Sequence, residues 1–503
     1  MARPGKVPLG VKLGYGFGQF GEAIFMGLTL TFAALYYNQG LGLDIKYVGW
    51  ALGLAIFADA ITDPTIGALS DRWKSKRWGR RHPFLFVAPV PLALCLYLLF
   101  LPPDFIVAIP EHGIQPEQMP LFLWMAVWNI LARTFLTLYV VPHLALGAEL
   151  TSDYNERTSV FSFNAMFGFA TGTGVGFFAW GYFAGESLRA MDNQMVPKQL
   201  DPANYAPLVI VGCLLVILGI WTCAFTTRKE IPHLAQARED TPPFSFMEIM
   251  RDMWGACQNR NYIMLLIAFF FLSLTLGMGE ISGGFLVTYY FELPGEEIKW
   301  FPFAQLIGYV TGAFVTPLWV QRFEKKPVAI IQVAIYAVVT PLPLILRSLD
   351  LPFPANHTAM LLPVLLLQNL VSAHCLGGLN VSIMSMLADV IDQHTLKTGN
   401  VQTGIFYSAR TFFAKASNSL SNLIAGVLFS SVVMLPTGAI PGKVAADVLY
   451  RLGVVAGPFA ALGAVISIFF YARYRLSKQE HAQIQKDLGV IPDSVETAGK
   501  LRA

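Results

Sequence analysis

Apolar runs long enough to cross a bilayer recur along this chain, and a chain built that way has a membrane as its folding environment. A transmembrane helix needs about 20 mostly apolar residues. Such runs fall at 13–38, 46–70, 83–103, 120–149, 158–184, 206–227, 262–291, 299–321, 327–347, 359–388, 402–434 and 447–473. No stretch is left over that could form a large water-soluble domain. Of 503 residues, 55% are hydrophobic and 13% are charged, about half the charged fraction of a soluble protein. The expected fold class is therefore an all-α membrane protein of twelve transmembrane helices. The first run has no short apolar core ending in a small-residue cleavage site, so it reads as a retained helix rather than a removed signal.

The loops set the orientation. Ser70 to His82 holds six Lys/Arg, whereas Asp104 to Met119 holds none. Arg228, Lys229, Arg238, Arg251 and Arg260 follow the sixth run; Arg322, Lys325 and Lys326 follow the eighth; Arg473, Arg475 and Lys478 follow the twelfth. Positive loops mark the cytoplasmic side, which puts both termini there and requires an even number of spans. The polar stretch 228–261 divides the chain into an N-terminal six-helix bundle (1–227) and a C-terminal one (262–476), with a cytoplasmic tail at 477–503. Basic loops at matching places in the two halves are the pattern of duplicated, pseudo-symmetric bundles with a binding site between them. Pro64, Pro89, Pro142, Pro317, Pro341 and Pro343 lie within spans, where neighbouring helices satisfy the freed backbone groups. A net charge of +3 gives nucleic acid no footing as a partner. Cys95, Cys213, Cys223, Cys257 and Cys375 form no CxxC pair and read as small hydrophobes.

Ionisable residues at membrane depth cost at least ~2.5 kcal/mol each, which makes function their default reading and an internal salt bridge the alternative. Asp59 and Asp63 are four residues apart in the second run, on one helix face. Two carboxylates that close repel, so one takes up a proton or a cation sits between them. Oxygen ligands suit a hard ion such as Na⁺, by the logic that governs Ca²⁺ and Mg²⁺, and Thr62 adds a hydroxyl. A competing reading makes Asp63 a cap at a helix break before Pro64, which leaves Asp59 unexplained. Arg133 in the fourth run and Arg410 and Lys415 in the eleventh are the buried cations; Glu22 and Glu280 are acids of the first and seventh. Together they describe a cavity for a cation and a polar or anionic solute. The alternative is that Arg133 or Lys415 neutralises the aspartate pair.

Several of these residues sit in motifs. Asp59-Ala-Ile-Thr-Asp63-Pro-Thr-Ile-Gly67, Ser70-Asp71-Arg72 and Gly79-Arg80-Arg81-His82-Pro83 stand in order. Tyr15-Gly16-Phe17-Gly18 precedes them. Glu149 with Glu156-Arg157-Thr158, Ala388-Asp389-Val390-Ile391-Asp392, and Phe406-Tyr407-Ser408 through Lys415 follow. In this the chain resembles, over nearly its full length, the glycoside–pentoside–hexuronide:cation symporters, a branch of the major facilitator superfamily. The resemblance implies two six-helix bundles, alternating access and coupling to Na⁺ or H⁺. It implies a cation site at Asp59, Asp63 and Thr137 with the lysine at Lys415. Asp71, Arg72 and the basic run through Arg80 and Arg81 are expected to pair with cytoplasmic helix ends as a gate, together with Glu149, Arg157, Asp389 and Asp392; the alternative is that the run serves only as a positive-inside signal. The family's sugar-binding acids fall here at Ala23, beside Glu22, and at Val140, and a helix-five arginine falls near Ala165. The expected substrate contacts are thus Glu22, Arg133, Val140, Glu280, Arg410 and Lys415.

Those departures imply a substrate other than a galactoside. A glycoside or uronide is the first reading. A lysophospholipid is the second, since sodium-dependent lysophosphatidylcholine symporters share the Asp-Ala-Ile-Thr-Asp-Pro run and a motif like Phe412-Phe413-Ala414-Lys415. Sucrose–proton symporters share the Ser-Asp-Arg and Gly-Arg-Arg signature. Arg133 and Arg410, if not committed to fixed partners, would favour an anionic or amphipathic solute. No HExxH or GxSxG motif supports an enzyme, and a channel needs a more polar lining. A non-transporting membrane receptor remains the alternative of another class. The expected protein is a monomer in the inner (plasma) membrane. Its partners are a small-molecule substrate and membrane lipid, and it has no cofactor beyond the coupling ion.

Overall fold

The computed structural model describes residues 6–75, 77–107, 117–151, 153–191, 194–234, 246–399 and 403–489. Lys76, Arg238 with 235–245 of the expected linker, and the tail beyond 489 lie outside the described residues. Among the described residues, eleven helices are long and apolar enough to cross a membrane. They are α1 Leu9–Gly40, α2 Ile45–Arg72, α3 His82–Phe100, α4 Gln118–Glu149, α6 Pro202–His233, α7 Arg260–Tyr290, α8 Gly295–Phe323, α9 Lys325–Ser348, α10 Leu361–Thr398, α11 Gly404–Val433 and α12 Ala446–Ala472. The remaining expected span is α5, Tyr154–Tyr182, 29 residues long. At 1.5 Å per residue it has the length to cross, but ten of its 29 residues are Gly, Ser or Thr, which add little hydropathy. Side-chain caps set several starts: Asp44, Asp153 and Asn259 accept from first-turn amides of α2, α5 and α7. The α5–α6 connection carries a two-stranded antiparallel ribbon, β1 Glu186–Met191 and β2 Gln194–Pro197, a small exception to an otherwise helical fold.

The duplication expected from the loops appears in the packing. In the first half α1 packs on α5 and α6, α2 on α4, and α3 on α4 and α6. In the second, α7 packs on α11 and α12, α8 on α10, and α9 on α10 and α12. The pattern repeats with a shift of six helices. Helices α1 and α7 also end alike, in π-helical turns at Tyr36–Gly40 and Leu286–Tyr290. Leu41 N–H donates to the Tyr36 carbonyl and Leu43 to Tyr37, as Phe291 donates to Leu286 and Leu293 to Val287, all four at 2.9 Å.

The halves meet through α2 against α11, α5 against α8 and α1 against α7, the first contact being much the most extensive. Their joining hydrogen bonds begin at mid-helix, where Lys415 donates to Asp63 and Ser419 Oγ to the Gly53 carbonyl. They continue to the end opposite the termini. There Tyr289 donates to Gln39 Oε1 at 3.0 Å, Gln39 Nε2 to the Pro436 carbonyl, and the Ala439 amide to Gln39. Small residues let the helices approach. In α8 against α10, a Cβ on Gly312 would lie 2.0 Å from the His374 carbonyl oxygen. That obstruction is backbone and cannot swing aside. Gly312→Ala is expected to destabilise the protein by about 3 kcal/mol, the upper end of ordinary overpacking. Thermal unfolding in detergent checks it, with Gly404→Ala, where a Cβ meets nothing within 4 Å, as the unperturbed control.

Candidate functional site

Helix α2 runs unbroken from Ile45 to Arg72 with Pro64 inside it, so Asp63 does not cap a helix break. It projects with Asp59 from one face into the seam with α4 and α11. Arg133 Nη1 donates to Asp59 Oδ2 at 2.9 Å. Lys415 Nζ pairs with Asp63 Oδ2 and stands 3.8 Å from Asp59 Oδ2. Thr137 Oγ1 donates to Asp63 Oδ1 at 3.0 Å. Each aspartate thus has a positive counter-charge, the first from its own half and the second from the other. Thr62 turns its hydroxyl back toward the Asp59 carbonyl, a long contact of 3.5 Å, and gives nothing to either carboxylate. Asp59 Oδ1 and Arg133 Nε are buried and have no hydrogen-bond partner among the described residues. A site with an orphaned carboxylate oxygen beside a second carboxylate and a hydroxyl has the donor set of a small hard cation.

Beside this cluster a cavity of about 960 Å³ opens between the halves, at the upper end of small-molecule sites. Glycines 27, 168, 172, 176, 279, 283 and 284 flatten its walls; Phe169, Trp180 and Phe301 supply aromatic faces; Gln19, Gln305, Gln368 and Asn369 supply amides. Among the described residues its ionisable lining is Glu22 and Glu280, with no Lys, Arg or His. Gln19 Nε2 donates to Glu22 at 2.9 Å, and the buried oxygens Gln19 Oε1 and Asn369 Oδ1 are without partners among the described residues. Of the six expected substrate contacts, Glu22 and Glu280 line this cavity, and Arg133, Val140, Arg410 and Lys415 do not. Arg133 and Lys415 belong to the aspartates. Val140 packs against the apolar core. Arg410 stacks its guanidinium 4.4 Å from the Phe269 ring centroid, because an aromatic face is an available partner for a desolvated cation. The sequence reading weighed charges and passed over the amides and Trp180. Their signal was present, as uncharged polar side chains inside apolar runs.

The expected gating residues gather at the end that holds the termini, within their own halves. Arg80 Nη2 and Arg81 Nη2 each donate to Glu149 Oε1 at 2.8 Å, Arg81 Nε donates to the same oxygen at 2.9 Å, and Arg81 also pairs with Asp71. Arg157 donates to the Thr151 carbonyl at 3.3 Å. In the second half Lys325 donates to both Asp389 oxygens at 2.7 Å. Asp389 and Asp392 lie inside α10, which continues to Thr398 rather than ending beside them. His481, on the short helix Lys478–Asp487, is 2.9 Å from Asp392 and 3.4 Å from Asp389.

The sequence model of the family described as MFS/sugar transport protein matches residues 14–478. An uncharacterised symporter of Synechocystis is 34% identical over 162 residues, 32% of this chain and 29% of that relative's length. The sodium-dependent lysophosphatidylcholine symporter 1-A of Danio rerio is 24% identical over 86% of this chain and 79% of its own. Among solved structures, a nucleoside transporter superposes with a TM-score of 0.62 at 15% identity, covering 93% of this chain and 100% of that one. That likeness shows the fold, the two-bundle architecture of twelve membrane helices.

The two acids of the Arg80–Arg81 cluster differ in burial, and their mutants should differ with it. The Glu149 and Arg81 side chains are 12% and 5% exposed, while Asp71 is 52% exposed. Glu149→Ala takes the buried carboxylate from both Arg80 and Arg81, leaving Arg81 with Asp71 and the Ser70 hydroxyl, and is expected to cost about 3 kcal/mol, the low end for removing one partner of a buried pair. Asp71→Ala is expected to cost less than about 1 kcal/mol. Thermal unfolding of the two purified variants makes the comparison.

Proposed function

The chain belongs to the MFS/sugar transport protein family of membrane transporters, and on that premise we propose that it is a cation-coupled symporter of a neutral glycoside or similar polar solute. The observation that carries this reading is the line Arg133, Asp59, Lys415, Asp63, Thr137, in which a lysine of the second half closes on two aspartates of the first. A Na⁺ ion or proton bound by those aspartates competes with Arg133 and Lys415 for the same oxygens. Taking Lys415 off Asp63 removes an ion pair from the seam between the halves, so ion binding and the rearrangement of the halves share one interaction. Fold alone does not give function; this bridge supplies the physical link that a coupled carrier needs and a passive receptor does not.

In this reading the protein sits in the plasma membrane with both termini cytoplasmic, by the distribution of positive loops. The cavity then opens toward the cytoplasm. Asp71, Arg72, Arg80, Arg81, Glu149, Arg157, Asp389 and Asp392 form the cytoplasmic gate, whose mapped ion pairs hold each half's own helix ends together while that end is open. Glu22 and Glu280 accept hydrogen bonds from solute hydroxyls, the amides give and receive them, and Trp180 and Phe301 cover an apolar sugar face. The anionic substrate considered from sequence loses its ground, because among the described residues the wall offers two carboxylates and no base. The same lining argues against a lysophospholipid, whose phosphate would find no cation.

Two measurements test this. In proteoliposomes, Asp59→Asn and Asp63→Asn are each expected to abolish solute accumulation driven by a Na⁺ or H⁺ gradient, with the protein still folded and inserted; accumulation at the wild-type rate in both would place the ion elsewhere. In calorimetric titrations, a neutral glycoside is expected to bind at least about tenfold more tightly than its uronic acid counterpart, since like charge is rejected across an interface. Equal affinity for the two would refute the neutral-solute assignment.

A further inference from the structure

Arg133 stands between the ion cluster and the solute cavity, and it has unused capacity. A second, small cavity behind the first is lined by Arg133 and Glu280 together with Leu30, Ile56 and Asn422. Glu280 and Leu30 line both cavities. Glu280 therefore borders the solute space on one side and the pocket of Arg133 on the other, and among the described residues Arg133 is the one Lys or Arg that lines that pocket with it. Among the described residues Glu280 makes no ion pair of its own, while Arg133 is paired with Asp59. Arg133 is 5% exposed, and its Nε has no hydrogen-bond partner. Asp59 comes from α2 of the first half and Glu280 from α7 of the second.

The charges around Arg133 are out of balance. Glu22 lies within reach of Lys415 and Asp63, so four carboxylates (Glu22, Asp59, Asp63, Glu280) share two cations (Arg133, Lys415), a formal excess of two negative charges. A guanidinium carries five donors in a fixed fork and stays charged. Displaced from one carboxylate at membrane depth, it needs another. We propose that Arg133 serves Asp59 and Glu280 in turn. A monovalent cation arriving at Asp59 displaces the guanidinium, which then pairs with Glu280 of the other half. Glu280 is thereby a positioning residue for ion binding, setting how readily the cation displaces Arg133, and the exchange ties α4 to α7 when the ion is bound. This rests on the ion site assigned above.

The test is a cation titration of the purified full-length protein, followed by the thermal shift against NaCl at constant ionic strength and, for proton coupling, against pH. Glu280→Gln removes the second partner, so Arg133 holds Asp59 more firmly and apparent cation affinity is expected to fall about tenfold, the low end of what an opposite charge does to a carboxylate. In an Arg133→Gln background only Lys415 is left to displace, and no guanidinium can turn to residue 280, so the same change is expected to alter affinity by less than about twofold. Arg133→Met serves if that background is not recovered from the membrane. An unmoved cation curve in Glu280→Gln, a loss confined to glycoside affinity, or an equal shift in both backgrounds overturns the proposal. Asp59→Asn, run alongside, separates the two levels: if it titrates like wild type the ion site itself is wrong, whereas its loss of response with an unmoved Glu280→Gln curve defeats the exchange alone.

Discussion

Asp59 and Asp63 stack one turn apart on α2 at a depth where water screens poorly, so each needs positive charge within a few ångströms. Arg133 supplies it from α4 of the same half and Lys415 from α11 of the other. The rest of the interior is organised by that need. The α2–α11 contact is the broadest between the halves, and Lys415 stands within it, so whatever takes over the aspartates' charge acts directly on the seam. A pair of carboxylates that met their needs inside one bundle would leave the other bundle uninformed.

The hydrogen bonds between the halves run from this level toward one end only, and their terminal member lies on the internal symmetry of the fold. Gln39 and Tyr289 are 250 residues apart, as are the π-helical turns that contain them. The two positions are therefore equivalents, and they bond to each other.

Much of this was legible in the sequence, for a physical reason: charge in hydrocarbon is expensive, so Asp59, Asp63, Arg133 and Lys415 stood out as residues and were expected together. Spans were legible where apolar, and the loops gave the duplication. The pairing was left open, because spacing along one helix says nothing about which cation of another helix faces it. Arg410 looked equivalent to Arg133 by the same cost argument, yet an aromatic face at Phe269 accommodates it. Of the cavity only Glu22 and Glu280 were legible; the rest of its lining was hidden, since it is made of glycines and amides, which carry no charge to announce them. The same composition kept α5 out of the set of strongly apolar helices although its length suffices. Asp63 before Pro64 resembled a helix stop, and the continuous α2 shows that packing in the seam outweighs one missing amide donor.

The glycine walls of the cavity carry an evolutionary consequence. At Gly172, Gly279 and Gly283 an added Cβ would meet nothing within 4 Å, so these positions border empty space rather than a neighbouring helix. A methyl or larger group there reshapes the chamber without disturbing the packing that holds the bundles. Selection can therefore refit the recess to a smaller or differently shaped cargo by single substitutions, while the charged apparatus beside it stays untouched. Relatives that carry different solutes on one scaffold are what such a division of labour allows.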